Sequence, residues 1–155
     1  MQTIKLSQGH ETIVDNEDFE YLNNYKWSVQ KNRKVIYAYR RAKIWWKYKT
    51  IYMHSYIMNT PKWMVTDHIN LNWLDNRKEN LRICTIAQNL RNRGKNINNA
   101  TWYKGVSFYK KTKKYVVMIN ILWKDKNLWY FNNKEEAYNK YCEVAKEGHL
   151  EFYHP

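Results

Sequence analysis

The sequence predicts an α+β protein of two small modules, and three observations lead to this fold class. In the first part of the chain, segments rich in aromatic and β-branched residues are separated by polar turns, which is typical of antiparallel strands. An asparagine-rich stretch, residues 91–101, has only two apolar side chains and can bury little. After it, three strand-like segments precede one amphipathic helix. We therefore place one module at residues 1–93, a basic linker at 94–101 and a second module at 102–155.

The first module is predicted to begin with a short helix and an aromatic hairpin. Asp15 is the expected N-cap of a helix whose apolar face carries Phe19, Leu22 and Tyr25. Trp27–Gln30 and Val35–Arg41, separated by a polar turn, predict a hairpin, and the residues that follow extend its sheet. The adjacent Trp45 and Trp46 are expected to give the core one ring and to leave another as an exposed stacking surface.

The charge distribution indicates a polyanionic partner. The 155 residues include 27 Lys and Arg against 14 Asp and Glu, which gives a formal net charge of +13. No acidic residue occurs between Glu20 and Asp67 or between Glu79 and Asp125. A solvated basic surface is the alternative, but such surfaces usually mix both signs. We therefore predict nucleic acid as the partner, with these phosphate-binding candidates: Arg40, Arg41, Lys43, Arg91, Arg93 and Lys95.

Several other classes of protein are disfavoured by composition. No apolar run approaches the roughly 20 residues that span a bilayer, so we expect no membrane partner. The first residues lack a charged start followed by an apolar stretch, which predicts a cytoplasmic protein without a secretory signal. Cys84 and Cys142 form no Cys-x-x-Cys pair, so we expect buried thiols rather than a disulfide framework or a structural zinc site.

A small segment rich in Asp and Asn, residues 67–89, lies between the two basic stretches. Val65–Ile69 is suited to a strand that enters it, and Leu81–Ile83 to a strand that leaves it. A Thr-x-x-Gln capping box at Thr85 starts a helix, which puts Asn89 in the second turn, able to face the first strand. The predicted order is strand, loop, strand and helix.

The residue types in this segment suit metal-assisted hydrolysis. One carboxylate and one amide oxygen are appropriate ligands for Mg²⁺ or Mn²⁺, which keep several waters and accept phosphate oxygens. A neutral imidazole at His68 can take a proton from an attacking water. Adjacent residues on a regular strand point to opposite faces, so Asp67 and His68 converge only if the strand bends or ends there. The polar loop that starts at Asn70 allows this.

The segment resembles the HNH (His-Asn-His) nuclease family, and in particular phage homing endonucleases. The stretches that carry the resemblance are Asp67-His68-Ile69-Asn70, Leu74-Asp75-Asn76-Arg77, Glu79-Asn80-Leu81-Arg82 and Gln88-Asn89. It implies a ββα-metal (His-Me finger) core on the N-terminal sheet, in which Asp67 and Asn89 hold Mg²⁺ or Mn²⁺. It also implies that His68 activates water and that Asn80 orients His68 or its loop. The expected activity is metal-dependent endonucleolytic cleavage of double-stranded DNA that nicks one strand first.

The chain departs from the family pattern inside the loop. Leu71 stands where the family usually has Gly, and Trp73 follows it. A bulky residue does not easily adopt a left-handed backbone, so the sequence alone does not fix the loop conformation. His54 matches a histidine found upstream in such proteins, but a packed or hydrogen-bonded structural role is an equal alternative, and we leave it outside the catalytic set.

The second module is predicted to be a three-stranded antiparallel sheet with one helix. Gly105–Tyr109, Tyr115–Ile121 and Asn127–Phe131 are the strand candidates, and the middle one alternates apolar residues with a period of two. Asn133 is the expected cap of the helix and Gly148 its end.

These strands and the start of the helix resemble the Apetala or ethylene-response-factor type of DNA-binding domain, on the stretches 103–108, 114–119, 128–131 and 134–138. The resemblance implies that the sheet docks on duplex DNA while the helix packs behind it. Several arginines of the plant pattern are absent, so no base preference carries over. Trp123 and Trp129 are core candidates. The DNA-binding candidates of this module are Lys104, Ser107, Tyr109, Lys111, Lys113, Met118 and Asn120.

Two alternatives to a nuclease remain open from the sequence. One is a DNA-binding regulator that keeps the nuclease-like fold without activity, and the other is an RNA-binding protein that uses exposed aromatic rings for stacking. Aromatic residues make up 17% of the chain, which permits the second alternative. The sequence is compatible with a monomer or a dimer.

Overall fold

The computed structural model describes residues 1–32, 35–94, 98–121 and 124–153 and is a mixed α+β chain, which confirms the predicted fold class. The chain divides into two compact units, residues 1–89 and 90–155. This division lies upstream of the predicted linker at 94–101. None of the helices in the described part of the chain combines the length and the apolar character that crossing a membrane requires.

The first unit is built from small antiparallel sheets with short helices between them. Strands β1 and β2 pair, β3, β4 and β5 form a sheet in that order, and β6 pairs with β7. The elements are β1 Gln2–Lys5, β2 Glu11–Val14, α1 Asn16–Asn23, β3 Ser28–Asn32, β4 Val35–Ile44, β5 Lys47–Tyr52, α2 Met53–Ile57, β6 Val65–His68, β7 Leu81–Cys84 and α3 Ile86–Asn92. The division between the two units falls inside α3, after Asn89.

The core of the first unit is formed by β1, β2, α1, β3, β4 and the start of α2. Its buried side chains include Ile4, Val14, Leu22, Trp27 and Met53. Burial of each aliphatic side chain of this size contributes roughly 1.5–3 kcal/mol. The Trp27 indole N–H donates to the backbone carbonyl of Leu22 at 2.8 Å, so its polar atom is satisfied inside the core.

The predicted helix after Asp15 forms as α1, and Asp15 is its N-cap residue as predicted, but without the expected side-chain cap. Asp15 occupies the N-cap position with an extended backbone, and its side chain makes no capping hydrogen bond. Its Oδ2 instead accepts the backbone N–H of Lys78 at 2.8 Å. The Asp15 carboxylate therefore ties the start of α1 to the segment that precedes β7.

The predicted aromatic hairpin is confirmed as β3 and β4, and its predicted turn includes Arg33 and Lys34, outside the described residues. Strand β5 extends the sheet on the other side of β4. Ile44 pairs with Lys47, so Trp45 and Trp46 form a two-residue turn, with a φ of 61° at Trp45. Trp45 is 82% exposed and Trp46 75% exposed, so neither ring belongs to the core.

The second unit is the predicted three-stranded antiparallel sheet with one helix. The elements are β8 Val106–Tyr109, β9 Lys114–Ile121, β10 Lys124–Phe131 and α4 Lys134–His149, with β9 in the middle of the sheet. The Asn133 side chain accepts hydrogen bonds from the backbone N–H groups of Glu135 and Glu136, which confirms it as the cap of α4.

Helix α4 covers one face of this sheet. Val117, Ile119 and Ile121 are buried on that face against residues of α4 that include Ala137 and Tyr141. Met118, which alternates with them along β9, is 61% exposed. The helix therefore does not cover the opposite face of the sheet, which is exposed at Met118 and buried at Val116.

Two predictions about buried residues need correction. Cys84 is buried as expected, but Cys142 is only partly buried. Trp129 is a partly buried residue at the edge of the core rather than a member of it. Trp123, the other core candidate, lies outside the described residues.

Gly148 does not end α4, which continues to His149. A Cβ atom at Gly148 would lie 2.4 Å from Ile121 Cδ1, so the glycine allows the helix to approach β9 closely. The chain leaves the helix at Leu150, which has a φ of 50°. The reason for the glycine is packing rather than helix termination.

The end of the predicted linker belongs to the second unit. Thr101 is buried, and its hydroxyl donates to the backbone carbonyl of Val106 at 2.8 Å. Its backbone N–H donates to Asn99 Oδ1 at 2.9 Å. These hydrogen bonds fix residues 99–101 against the start of β8, which asparagine-rich composition alone does not indicate.

A left-handed glycine in the second unit gives a test of its packing. Gly105 has a φ of +73°, and a Cβ there would lie 2.1 Å from the Tyr141 ring. We expect Gly105→Ala to lower the free energy of unfolding by about 1 kcal/mol for the backbone and about 1–3 kcal/mol more for the overlap.

Gly9→Ala is the matched control, because Gly9 has a φ of +74° with nothing within 4 Å of an added Cβ. Urea unfolding of both variants measures the difference. Equal destabilisation by the two substitutions would show that Gly105 and Tyr141 do not pack as described.

Candidate functional site

The candidate site is built at the end of the β6–β7 hairpin. Asp67 pairs with Arg82 across the two strands, and His68 pairs with Leu81. Strand β6 ends at His68, and the Leu71 backbone N–H donates to the His68 carbonyl at 3.1 Å in the turn that follows. Asp67 and His68 are therefore successive paired residues of β6, and the turn begins directly after His68.

Leu71 adopts the left-handed conformation that its size disfavours, with a φ of 60°. For a residue with a side chain this costs roughly 1–2 kcal/mol. The loop around it supplies compensating hydrogen bonds. Asn80 Oδ1 accepts the backbone N–H of Asn70 at 2.9 Å, and Asn80 Nδ2 donates to the Asp75 carbonyl at 2.8 Å. The contacts of Asn80 are thus with the loop, which is one of the two roles predicted for it.

The other side of the loop is fixed by an ion pair. Asp75 is buried and accepts hydrogen bonds from Arg77 Nε and Nη2, both at 2.8 Å. Asn70 Nδ2 also donates to Asp75, at 3.0 Å. The hydrogen bond from Arg77 is the main reason why the pKa of Asp75 lies below its usual value. Asp75 therefore stays ionised and holds both ends of the loop.

The loop is anchored to β2 by backbone pairing. The Ile13 N–H donates to the Leu74 carbonyl at 2.9 Å, and the Asn76 N–H donates to the Ile13 carbonyl at 2.8 Å. The Thr12 hydroxyl donates to the same Leu74 carbonyl at 2.7 Å. The N-terminal sheet thus positions the residues that contact His68.

A chain of side-chain hydrogen bonds determines which ring nitrogen of neutral His68 carries the proton. Because the Thr12 hydroxyl donates its proton to Leu74, it accepts from Asn76 Nδ2, at 2.7 Å. Asn76 Oδ1 then faces His68 Nε2 at 3.2 Å. An amide oxygen can only accept, so neutral His68 carries its proton on Nε2 and its lone pair on Nδ1. Asn76 is fully buried, so water does not compete for these hydrogen bonds.

His68 lies in a cluster of rings. Its ring centroid is 5.0 Å from that of His54 and 6.1 Å from that of Tyr37. His54 stacks on Tyr52 with centroids 5.5 Å apart, and its Nδ1 is buried without a hydrogen-bond partner. His54 therefore has the packed structural surroundings of one predicted alternative, while it also contacts the candidate base.

Burial keeps both histidines neutral. It lowers the pKa of His68, against the opposing effects of the hydrogen bond to Asn76 and of nearby Asp67 and Asp75. It lowers the pKa of His54 to about 3, with a smaller contribution from His68. At neutral pH His68 therefore presents a neutral imidazole, the form that can accept a proton.

Asp67 is buried and paired with Arg82. Arg82 Nε and Nη2 donate to Asp67 Oδ2 at 2.9 and 2.7 Å. Two charge-assisted hydrogen bonds to one oxygen fix the orientation of the carboxylate. Arg82 also offsets the cost of burying the negative charge of Asp67 next to His68. Neither this role of Arg82 nor that of Asn76 was predicted, because each depends on pairing across the loop; both residues do occur in the stretches that carry the nuclease resemblance.

The capping box before α3 is confirmed, which puts Asn89 in the second turn of the helix. The Thr85 N–H donates to Gln88 Oε1 at 2.9 Å, and the Gln88 N–H donates to Thr85 Oγ1 at 3.3 Å. Asn89 is half-buried, and its backbone N–H donates to the Thr85 carbonyl at 3.0 Å. The backbone order β6, loop, β7 and α3 is the predicted one.

The predicted donors for a hard cation are a small ligand set. Among the described residues, no group of three or more His, Cys, Asp and Glu side chains could hold a metal ion. The two predicted ligands are the Asp67 carboxylate and the Asn89 amide. Two oxygen donors suit Mg²⁺ or Mn²⁺, which retain waters and take phosphate oxygens in other positions, and they do not suit zinc.

The predicted DNA-binding residues of the first unit differ in exposure. Arg41 and Lys43 are exposed on β4. Arg40 is half-buried, with its guanidinium carbon 3.9 Å from the centre of the Tyr25 ring and 5.4 Å from that of Tyr56. A cation over aromatic faces contributes about 0.5–2 kcal/mol. Arg40 therefore has a packing role that the sequence did not indicate.

The predicted DNA-binding residues of the second unit also fall into groups. Lys104 is half-buried and donates from Nζ to the Arg91 carbonyl at 3.0 Å, and burial lowers its pKa. Arg91 is half-buried and Arg93 exposed. Lys95 and the side chain of Asn120 lie outside the described part of the chain. The exposed members of the set on or beside the sheet are Ser107, Tyr109, Lys111, Lys113 and Met118.

Comparisons with known protein families, with curated proteins and with solved structures give no match for this chain.

The buried His54 makes stability depend on pH. Its pKa is about 3 in the folded protein, against 6.5 for an ordinary histidine. As the pH falls below 6.5, the unfolded chain binds a proton that the folded protein does not, so the free energy of unfolding falls. At pH 5 this loss amounts to about 2 kcal/mol.

We expect His54→Phe, which keeps a ring but removes the titratable group, to lose less stability than the parent protein between pH 7 and pH 5. Urea unfolding at both pH values, with metal chelated, measures this, and His10→Phe tests whether the loss of any histidine has the same effect. An identical acid loss in His54→Phe and the parent would contradict the description of His54.

Proposed function

We propose that this protein is a metal-dependent DNA endonuclease in which His68 is the general base. The observation that carries the proposal is the hydrogen-bond chain from Thr12 through Asn76, which directs the proton of His68 to Nε2 and so makes Nδ1 the ring nitrogen that can accept a proton. The nearby Asp67 supplies a carboxylate whose orientation Arg82 fixes. A net charge of +13 supports a polyanionic substrate.

The proposed reaction is hydrolysis of a phosphodiester bond. His68 Nδ1 accepts a proton from water while the water oxygen forms a bond to phosphorus. The bond between phosphorus and the leaving sugar oxygen breaks, and that oxygen takes a proton from solvent. A positioned base of this kind contributes about 10²–10⁴-fold to the rate.

Asp67 and Asn89 are the residues that would hold Mg²⁺ or Mn²⁺, and the ion would stabilise negative charge on the phosphate oxygens. Asn80 and Asp75 act through the loop, because their hydrogen bonds keep its backbone in place behind His68. One set of such residues acts on one phosphodiester, so the proposed first product is a nicked strand. A paired cut requires a second copy of the protein.

We further propose that the sheet face of the second unit opposite α4 contacts duplex DNA. Ser107, Tyr109 and Met118 are exposed on its strands, with Lys111 and Lys113 in the turn that joins β8 to β9. Lysines at a strand end suit phosphate contacts, which position a protein, while strand side chains suit base edges, which carry sequence information. This arrangement would separate the choice of site from the chemistry.

The first test is cleavage of supercoiled plasmid by the full chain. We expect nicked circles with Mg²⁺ or Mn²⁺ and no cleavage in excess EDTA. His68→Ala and Asp67→Asn should lose cleavage, and His68→Ala should still bind DNA. His10→Ala is the matched control, because it removes a histidine outside the cluster.

Circular dichroism and urea unfolding establish that each variant is folded. Undiminished cleavage in EDTA would contradict the metal mechanism, and wild-type rates in folded His68→Ala would contradict the role of His68. Tight DNA binding without cleavage under any of these conditions would favour a non-catalytic DNA-binding regulator.

A second test concerns the phosphate contacts of the second unit. We expect the double variant Lys111→Ala, Lys113→Ala to bind duplex DNA more weakly and to reduce the slope of log affinity against log salt by up to about 2, because each lost phosphate contact removes about 0.9. Fluorescence anisotropy at several salt concentrations measures this slope. The control is Lys134→Ala, Lys146→Ala on α4, behind the sheet; a larger change in the control than in the first variant would contradict the assignment of the DNA-binding face.

A further inference from the structure

The β4–β5 hairpin extends beyond its sheet as a two-stranded arm. Strand β3 pairs with β4 only as far as Tyr39, whereas β4 and β5 remain paired from Arg40 and Ile51 to Ile44 and Lys47. At about 3.3 Å per residue, the five pairs from Arg40 onward span roughly 17 Å. The residues from Lys43 to Thr50 are all exposed. The arm is therefore free to enter a groove in a partner.

Both faces of the arm carry positive charge. Side chains of paired residues lie on the same face, so Lys43 and Tyr48 share one face, to which Arg41 also belongs. Lys47 and Lys49 lie on the other. No acidic residue occurs between Glu20 and Asp67, so no carboxylate of the arm offsets these cations. A ribbon with cations on both faces complements a groove between two phosphate backbones. A membrane surface or a single protein face would contact only one face of the ribbon.

The tip of the arm is aromatic. The Trp45 and Trp46 rings are 6.0 Å apart at an interplanar angle of 82°, an edge-to-face pair. In this geometry at least one ring keeps both of its faces clear of the other. Trp45 is 82% exposed and Trp46 is 75% exposed, so the tip is a large apolar surface that is not buried in the fold.

We propose that this arm, residues 40–51, enters a groove of duplex DNA, where Trp45 and Trp46 stack on bases at an opened base step and the basic side chains contact both phosphate backbones. A two-stranded ribbon fits the major groove, which is about 12 Å wide and 8.5 Å deep, so an arm of roughly 17 Å reaches its floor. Aromatic rings bind every base face, so the contact favours opened steps rather than one sequence. The inference rests on DNA as the proposed substrate, but it does not require cleavage.

The test measures binding of the full chain in EDTA, which separates it from cleavage. The probes are one duplex, the same duplex with a two-nucleotide bulge, and one of its single strands. We expect the parent to bind the bulged duplex most tightly. The double variant Trp45→Ala, Trp46→Ala should bind the bulged duplex about tenfold or more weakly and lose the preference for the bulge, with the salt slope unchanged.

The conservative variant Trp45→Phe, Trp46→Phe should keep most of the affinity, because phenylalanine also stacks. Trp63→Ala is the matched control, because Trp63 is 81% exposed elsewhere in the same unit, and it should bind as the parent does. Unchanged binding of the bulged duplex by the double alanine variant would overturn the proposal, as would a loss confined to the single strand. Loss of binding to vesicles of anionic phospholipid without loss of DNA binding would make the tip a membrane contact and would also overturn it. If the chain binds as expected but cuts no plasmid, the nuclease proposal fails and this one stands.

Discussion

The hydrogen bond between Asn76 and His68 is the interaction on which the candidate site depends. It selects one tautomer of a buried imidazole, and it can do so only because Thr12 fixes which end of the Asn76 amide faces the ring. Thr12 in turn is fixed by its donation to the Leu74 carbonyl. The Thr12 hydroxyl on β2 thus determines which ring nitrogen of His68, at the end of β6, can accept a proton.

Burial keeps the histidine that Asn76 contacts neutral, and it also costs stability. His68 and His54 lie side by side, and burial lowers the pKa of both, so the cluster is neutral at physiological pH. The charged residues around it are paired: Asp67 with Arg82 and Asp75 with Arg77. Placing ion pairs and a left-handed Leu71 around a neutral base costs stability, which the pairing of the loop with β2 offsets.

Periodicity and capping patterns predicted the fold well, because they act locally. The hairpins, the strand order around His68 and the Asn133 cap are of this kind. The sequence could not assign Asp15, Gly148, Arg40 or Asn76, because their roles come from partners far along the chain: Lys78, Ile121, an aromatic cluster and Thr12. In the site, the residue types at Asp67 and His68 were predictable, whereas the tautomer of His68 required the whole hydrogen-bond chain.

The tautomer of His68 is the most direct test of this account. Nitrogen-15 NMR of the full chain near pH 7.5 distinguishes a protonated from an unprotonated ring nitrogen, and comparison with His68→Gln assigns the signals. We expect a neutral ring with its proton on Nε2 and an unprotonated Nδ1. A proton on Nδ1, or a doubly protonated ring at this pH, would contradict the central claim, because His68 could then not act as the base through Nδ1.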